Sequence, residues 1–215
     1  MGTSDGVVRV EPLTADRWDD AVAVFGTRGD PASCWCQFFR LGGEQWRQST
    51  VQTNREALRS QCQEAQAQGR PAPGLLAYLG REPAGWVAVA PRQDYPRLGR
   101  NRALVALLAV TDGGAARDAP DDDQQEGSVW SVTCFVVRTG FRRRGVAAAL
   151  LDGVVTYAAE HGAAAVEGYP VDVAPGVRRA SSELYHGTRS TFAAAGFAEI
   201  GRTSPARPVM RRALA

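Results

Sequence analysis

The apolar positions of the chain follow two periods that meet in one stretch. From Val129 to Val137 (VWSVTCFVV) β-branched and aromatic residues run almost unbroken, the composition of a buried or half-buried strand. From Gly145 onward Val146, Leu150, Val154 and Tyr157 recur at helical spacing, with Ala147, Ala149 and Ala158 on the same side. That spacing predicts a helix to about Glu160. An arginine-rich turn, Arg138 to Arg144, joins the two. No Ser, Thr, Asp or Asn stands just before Gly145 to cap the helix, so its first backbone N–H groups lack an internal partner. Free donors at a helix start, a glycine allowing close approach and neighbouring arginines suit a phosphate.

The same reading places the other elements. Val7 to Val10 is a short strand, and Trp18, Ala21, Val22 and Phe25 share one face of a helix that Thr14 or Asp16 could cap. Gly29-Asp30-Pro31 should break that helix. The densely aromatic segment Ser33 to Leu41 (SCWCQFFRL) then leads into a helical stretch from about Gly43 to Ala67. Trp35, Phe38, Phe39 and Trp46 read either as core, where large aromatics usually bury their area, or as the lining of a pocket. Leu75 to Leu79 and Trp86 to Ala90 flank a Gly/Pro-containing turn and read as a hairpin. Arg102 to Val110 is apolar but could be strand or helix. Ala163 to Tyr169 is a strand, Glu183 to Ala195 leads to Gly196-Phe197, and Phe197 to Gly201 pairs with Pro208 to Arg212.

Three segments together carry a family resemblance. Arg142-Arg143-Arg144-Gly145-Val146-Ala147, between its strand and helix, resembles the Q/R-x-x-G-x-G/A motif of the GNAT superfamily of N-acetyltransferases. The hairpin GREPAGWVAVAP and the ending Thr191 to Phe197 (TFAAAGF) are similar to that family's hairpin and to its helix, Gly-Phe, strand close. Some GNAT-like proteins carry a similar Cys-Trp-Cys stretch in the early helical region, where the family builds much of its acceptor site. The resemblance implies an α/β (α+β) fold: a single domain over 7–215, with a mixed, mostly antiparallel sheet of about six or seven strands and helices on both faces. It implies acetyl-CoA as co-substrate and transfer of its acetyl group to a primary amine. The pyrophosphate would lie on Arg142, Arg143, Arg144, Gly145, Val146 and Ala147. Backbone groups of Phe135, Val136 and Val137 would pair with the pantetheine arm and present a small oxyanion hole. The family often has a tyrosine four residues before the Gly of the Gly-Phe ending, to protonate the departing thiolate; here that position is Phe192. Tyr185 is the nearest substitute, with His186 beside it. Among Glu126, Glu167 and Asp172, Glu167 is the first candidate base, because an inward carboxylate on a strand is costly unless used or paired. A water chain could replace any single base.

Composition narrows the alternatives. A chain of 215 residues with 44% hydrophobic and 22% charged residues can build one sizeable core. The formal net charge of +2 does not mark a nucleic-acid binder. Every basic residue is an arginine, which excludes lysine nucleophiles, Schiff bases and P-loop chemistry. No apolar h-region opens the chain and no run approaches the roughly 20 residues that span a bilayer, so a cytoplasmic protein with free thiols, without membrane partners, is expected. Cys34 and Cys36 are too closely spaced, and the histidines too few, for a zinc site; no metal is expected. Gly2 to Gly6 spells G-x-S-x-G at a terminus, where no nucleophile elbow can form. Residues 1–6 should be flexible. Asp112 to Gly127 reads as a solvated acidic loop, or as one that attracts a cationic acceptor through Asp121, Asp122, Asp123 and Glu126. The acceptor itself, whether small molecule, peptide or protein amine, stays open, and a homodimer is the commonest form of oligomer. The alternative function is a non-catalytic CoA-binding regulatory module on the same fold.

Overall fold

The period-2 segments become strands in a computed structural model, which describes residues 6–112, 128–173 and 181–214. They are β1 (Val8–Pro12), β2 (Gly74–Leu79), β3 (Glu82–Pro91), β4 (Val129–Val137), β5 (Ala165–Gly168), β6 (Ala198–Ser204) and β7 (Arg207–Ala213). One sheet contains all seven in the order β1-β2-β3-β4-β5-β7-β6. Only β4 and β5 pair in parallel, joined by the crossover helix α6 (Val146–Glu160). Alternate residues of β2 and β3 enter opposite cores, as strand geometry requires. Leu75, Ala77, Val87 and Val89 pack with Val146, Leu150, Leu151 and Val154 of α6. Leu76, Tyr78, Trp86 and Ala88 pack with Trp18, Ala21, Val24 and Phe25 of α1 (Trp18–Phe25) on the other face.

The early helical region is more broken than the apolar spacing suggests. Gly29-Asp30-Pro31 starts a short helix, α2 (Gly29–Cys34), rather than an irregular break; Pro31 sits in its first turn, where a missing N–H costs no hydrogen bond. The stretch from Gly43 to Ala67 divides into α3 (Gly43–Gln48) and α4 (Val51–Ala67). Thr50 makes the division, since its hydroxyl accepts from the Thr53 N–H at 3.2 Å and caps α4. The ambiguous segment is a helix, α5 (Arg102–Thr111), capped by Asn101, whose side chain accepts from the Leu104 N–H at 3.2 Å. Leu104 buries itself with Tyr95, Leu98 and Val209, a third core beneath β7. Two short helices, α7 (Ser181–Leu184) and α8 (Arg189–Ala194), precede β6. Residues 1–5 of the N-terminal segment and 113–127 of the acidic stretch lie outside the described residues, including Asp121, Asp122, Asp123 and Glu126.

Two features of β5 hold the open half of the sheet together. Glu167 is fully buried, and Arg92 Nη1 donates to it at 3.1 Å, Arg211 Nε at 2.9 Å and the Tyr169 hydroxyl at 3.0 Å. Asp112 closes the cluster, pairing with Arg92 at 2.8 Å and Arg211 at 2.6 Å. Burial alone would raise the Asp112 carboxyl, but hydrogen bonds from Arg211 and Arg92 and their charges outweigh it and hold the group below its usual range. Next to Glu167, Gly168 lies under the ring of Phe192, so a Cβ there would overlap it.

Removing one partner from this cluster should leave an uncompensated buried charge. Glu167→Gln should cost about 3–5 kcal/mol in denaturant unfolding, and Gly168→Ala about 1–3 kcal/mol by overpacking. The Asp112 contribution should be complete above the unfolded carboxylate pKa of about 4 and fade as the pH falls through the lower folded value. Urea titrations of wild type and Asp112→Asn from neutral pH to pH 3 check this, since the difference between the two should shrink on acidification.

Candidate active site

The site is organised by one extra residue in β4. Ala88 of β3 faces Cys134 and Val89 faces Val132, which leaves Thr133 as a bulge. The bulge reverses the alternation of everything after it: Trp130 and Val132 belong to the α6 core, but Cys134 turns to the α1 side and Phe135 back to the α6 side. It is also where β4 leaves its parallel neighbour. The β4–β5 pairing runs only from Val129↔Ala165 to Val132↔Gly168. Beyond it the two strands part, and one strand edge of β4 opens. Arg138 N–H points to β3, donating to the Ala84 carbonyl at 3.0 Å. By alternation Val136 also faces β3, while Phe135 and Val137 direct their N–H groups into the opening.

The segment Leu184–Gly187 enters this opening. The Tyr185 carbonyl accepts the Phe135 N–H at 2.6 Å, and His186 Nδ1 lies 3.0 Å from the Thr133 carbonyl. So the Phe135 donor expected for a thioester carbonyl carries a protein acceptor here. Tyr185 lines three cavities, including one on each side of the segment.

On the helix side is a groove of about 480 Å³, bounded by Phe135, Val137, Arg142, Arg143, Gly145 and the start of α6. Gly145 has φ 76° and caps α6 without a side-chain hydrogen bond. The first intrahelical bond is Ala149 N–H to the Gly145 carbonyl at 3.0 Å, so the N–H groups of Val146, Ala147 and Ala148 have no acceptor within the helix. A Cβ on Gly145 would meet no protein atom within 4 Å. The glycine therefore serves the left-handed turn, and the space before it is open to a ligand. Arg142 and Arg143 border that space and are exposed. Arg138 instead donates to the Pro83 carbonyl at 2.6 Å, and Arg144 stacks on Phe141 with its guanidinium 5.8 Å from the ring centre.

On the α1 side is a cavity of about 390 Å³, walled by Cys34, Cys36, Phe38, Phe39, Trp46, Cys134 and His186, with Asp30 as its carboxylate. The aromatic segment therefore divides between its two readings. Trp35 is core, stacked on Phe25 at 4.6 Å and Trp18 at 5.8 Å; Phe38, Phe39 and Trp46 meet edge to face around the cavity. Trp35 and Cys36 hold positive φ, 46° and 55°, a strain of roughly 1–2 kcal/mol per residue offset by burial of the indole and by the Trp86 Nε1–H to Cys36 Sγ bond at 3.3 Å. Burial and the neighbouring Cys36 push the Cys34 thiol up to about 11. The contact with Cys134, then burial, raises Cys36 well above the ordinary thiol value. Both remain thiols at neutral pH and are poor nucleophiles.

The sequence-derived candidates separate accordingly. Tyr185 lies between the two cavities, and Phe135, Val137, Arg142, Arg143, Gly145, Val146 and Ala147 border the groove. Val136 is buried and packs with the α1 core, and Arg144 is not among the groove's lining residues. Glu167 faces inward as expected, but it is committed to Arg92 and Arg211 and lies outside the lining of both cavities; its burial is explained by structure rather than by proton transfer. Phe192 is fully buried, edge-on to Phe135 and Phe197. A hydroxyl there would have to find a partner against Gly168, so the departure from the usual tyrosine is a core adjustment. Among the described residues, no group of three or more His, Cys, Asp or Glu could hold a metal ion, and no helix is long and apolar enough to cross a membrane.

A strand that parts from its parallel neighbour at a bulge, followed by a basic turn and an uncapped helix start, leaves a groove suited to an extended ligand with an anionic end. The comparisons with known proteins agree. The model of the acetyltransferase (GNAT) family matches residues 35–186, and the chain belongs to that family. Solved structures share the fold. The GNAT domain of PAT from S. lividans is 16% identical, with 97% of this chain and 92% of that one covered and a TM-score of 0.51. A GNAT-family acetyltransferase from Bacillus cereus is 12% identical, with 98% and 99% covered and a TM-score of 0.52. The paia N-acetyltransferase of Thermoplasma acidophilum, solved with coenzyme A, is 9% identical, with 96% and 99% covered and a TM-score of 0.50. Among curated proteins, none matches the sequence.

Gly145→Val should distort the turn before α6. Losing one hydrogen bond to a charged phosphate is worth about 1.5–3 kcal/mol, so acetyl-CoA affinity measured by calorimetry should fall roughly 10- to 100-fold while the circular dichroism spectrum stays native.

Proposed function

We propose that the protein transfers the acetyl group of acetyl-CoA to a primary amine. The observation that carries this reading is the position of Tyr185 between a groove that ends in an uncapped helix start and a separate apolar cavity. Donor and acceptor would approach from opposite sides and meet at one side chain. The pyrophosphate would take the N–H groups of Val146, Ala147 and Ala148, with charge from Arg142 and Arg143. The pantetheine arm would run along the open edge of β4 at Val137. The thioester carbonyl would replace the Tyr185 carbonyl on the Phe135 N–H, so that a donor already aimed at the site stabilises the developing oxyanion.

Tyr185 is the proposed acid. Burial raises its hydroxyl above the ordinary value, and Asp30 and Cys134 add to this against the opposing charge of Arg142. The phenol therefore stays protonated at neutral pH and can supply a proton to the departing thiolate. With Cys34 and Cys36 held as thiols, the support favours direct transfer within one ternary complex over an acyl-cysteine intermediate. Holding the two reactants together can by itself supply ~7–11 kcal/mol of barrier reduction.

The second reading, a CoA-binding module without catalysis, draws on the Phe135 N–H being already bonded to Tyr185. Mixing the protein with acetyl-CoA and an amine panel while following free thiol separates the two. Catalysis predicts amine-dependent release; tight CoA binding without release on any amine supports the module. Tyr185→Phe should reduce kcat roughly 10²-fold or more with little change in acetyl-CoA affinity, and unchanged turnover would move the acid elsewhere.

A further inference from the structure

Deprotonation of the amine has no assigned residue once Glu167 is committed to its ion pairs. The acceptor cavity supplies one. His186 lines it beside Tyr185. Its Nδ1 is 3.0 Å from the Thr133 carbonyl. A carbonyl oxygen cannot donate, so Nδ1 carries the proton and Nε2 keeps a lone pair. The bulge at Thr133 presents that carbonyl, and Phe39 steadies the ring by an edge contact at 5.7 Å. The same bulge that opens β4 for the donor thus fixes the tautomer of a base on the acceptor side.

The cavity also restricts what can enter. Its walls include the rings of Phe38, Phe39, Trp46 and Tyr185 and three cysteines, and among the described residues its one carboxylate is Asp30. A polycation would leave most of its charges unpaired there at high desolvation cost. An amine with an apolar, ring-sized body would match the walls, and the same desolvation would favour its neutral, nucleophilic form.

Resting on the acetyl-transfer reading above, we infer that this cavity receives a primary monoamine with an apolar body, and that Nε2 of His186 takes the proton the amine loses. The neutral amine's lone pair attacks the thioester carbonyl carbon, a C–N bond forms and the C–S bond breaks. One proton passes from nitrogen to His186, and the leaving sulfur takes one from the Tyr185 hydroxyl. The products are an amide and free CoA thiol, and solvent exchange returns both side chains to their starting state. Facing His186 are Arg207 of β7, Asp30 and Cys34 of α2, Cys36, Cys134 of β4 and Tyr185. Burial, then the Arg207 charge, lowers the imidazole below its ordinary value, against the Thr133 hydrogen bond; the ring is neutral, as a base must be, at neutral pH.

The test uses thiol release with 2-phenylethylamine, hexylamine, spermidine and kanamycin on the whole chain. The first two should react with kcat/KM at least roughly tenfold above the others. His186→Asn keeps a side-chain donor for Thr133 but removes the ε nitrogen. It should lower kcat by roughly 10²-fold or more, leave acetyl-CoA affinity within twofold, and erase the acid limb of the kcat–pH profile. Added imidazole should restore part of the rate in His186→Ala. Release with spermidine or kanamycin alone, or an unchanged kcat and acid limb in His186→Asn, overturns this inference and leaves acetyl transfer standing. No release with any of the four amines, despite acetyl-CoA binding, overturns both.

Discussion

Everything functional in this molecule depends on the parting of β4 from β5 after Val132 and Gly168. A parallel pair is normally continued until both strands end, because each unpaired backbone donor in an interior costs about as much as a lost hydrogen bond. Here the extra residue Thr133 ends the pairing while β4 stays bonded to β3 as far as Val137. The result is a strand buried in the middle of the sheet with one edge released from β5 and met, among the described residues, only by the segment Leu184–Gly187. The bulge also turns Cys134 and Phe135 to opposite faces, so the wall of the aromatic cavity and the wall of the groove beside α6 come from adjacent residues. That adjacency puts Tyr185 in the lining of both cavities, the basis of the proposed meeting of donor and acceptor there.

The ion cluster on β5 is the structural counterpart of this opening. Over its whole length β5 pairs with β4 on one side, from Ala165 to Gly168, and with β7 on the other, in a register from Ala165↔Ala213 to Gly168↔Met210. Glu167 ties it back to Arg92 at the end of β3 and to Arg211 on β7. Gly168 admits the Phe192 ring, which fills the space between β5 and Phe135. The position that often carries the family's tyrosine is thus spent on packing, and the proposed acid, Tyr185, lies on the segment that enters the opening.

The parts of this structure written in local periodicity were legible. The β4 boundaries, Val129 to Val137, and the helix from Gly145 to Glu160 follow from residue spacing alone. So do the hairpin and the final antiparallel pair; Arg142, Arg143, Gly145, Val146 and Ala147 line the groove at the uncapped helix start, while Arg144 does not. The α5 segment was undecided on periodicity, although Asn101 before it is an N-cap signal that resolves it. Long-range pairing was not legible. Nothing local couples Glu167 to Arg92 and Arg211, so a carboxylate that neutralises two arginines reads as a candidate base. The role proposed for His186 was hidden for the same reason, since its ring is oriented by a carbonyl 53 positions away in the chain. The bulge is equally silent, because one residue too many in a strand leaves the apolar run intact.

The central claim is that acetyl-CoA lies along the open edge of β4, with its phosphates on the start of α6 and its thioester beside Tyr185. A crystal structure of the protein soaked in acetyl-CoA tests this most directly. The account predicts pyrophosphate density within hydrogen-bond distance of the Val146, Ala147 and Ala148 N–H groups, and a thioester carbonyl on the Phe135 N–H in place of the Tyr185 carbonyl. Donor density elsewhere, or an undisturbed Phe135–Tyr185 bond with the groove empty at saturating acetyl-CoA, would contradict it.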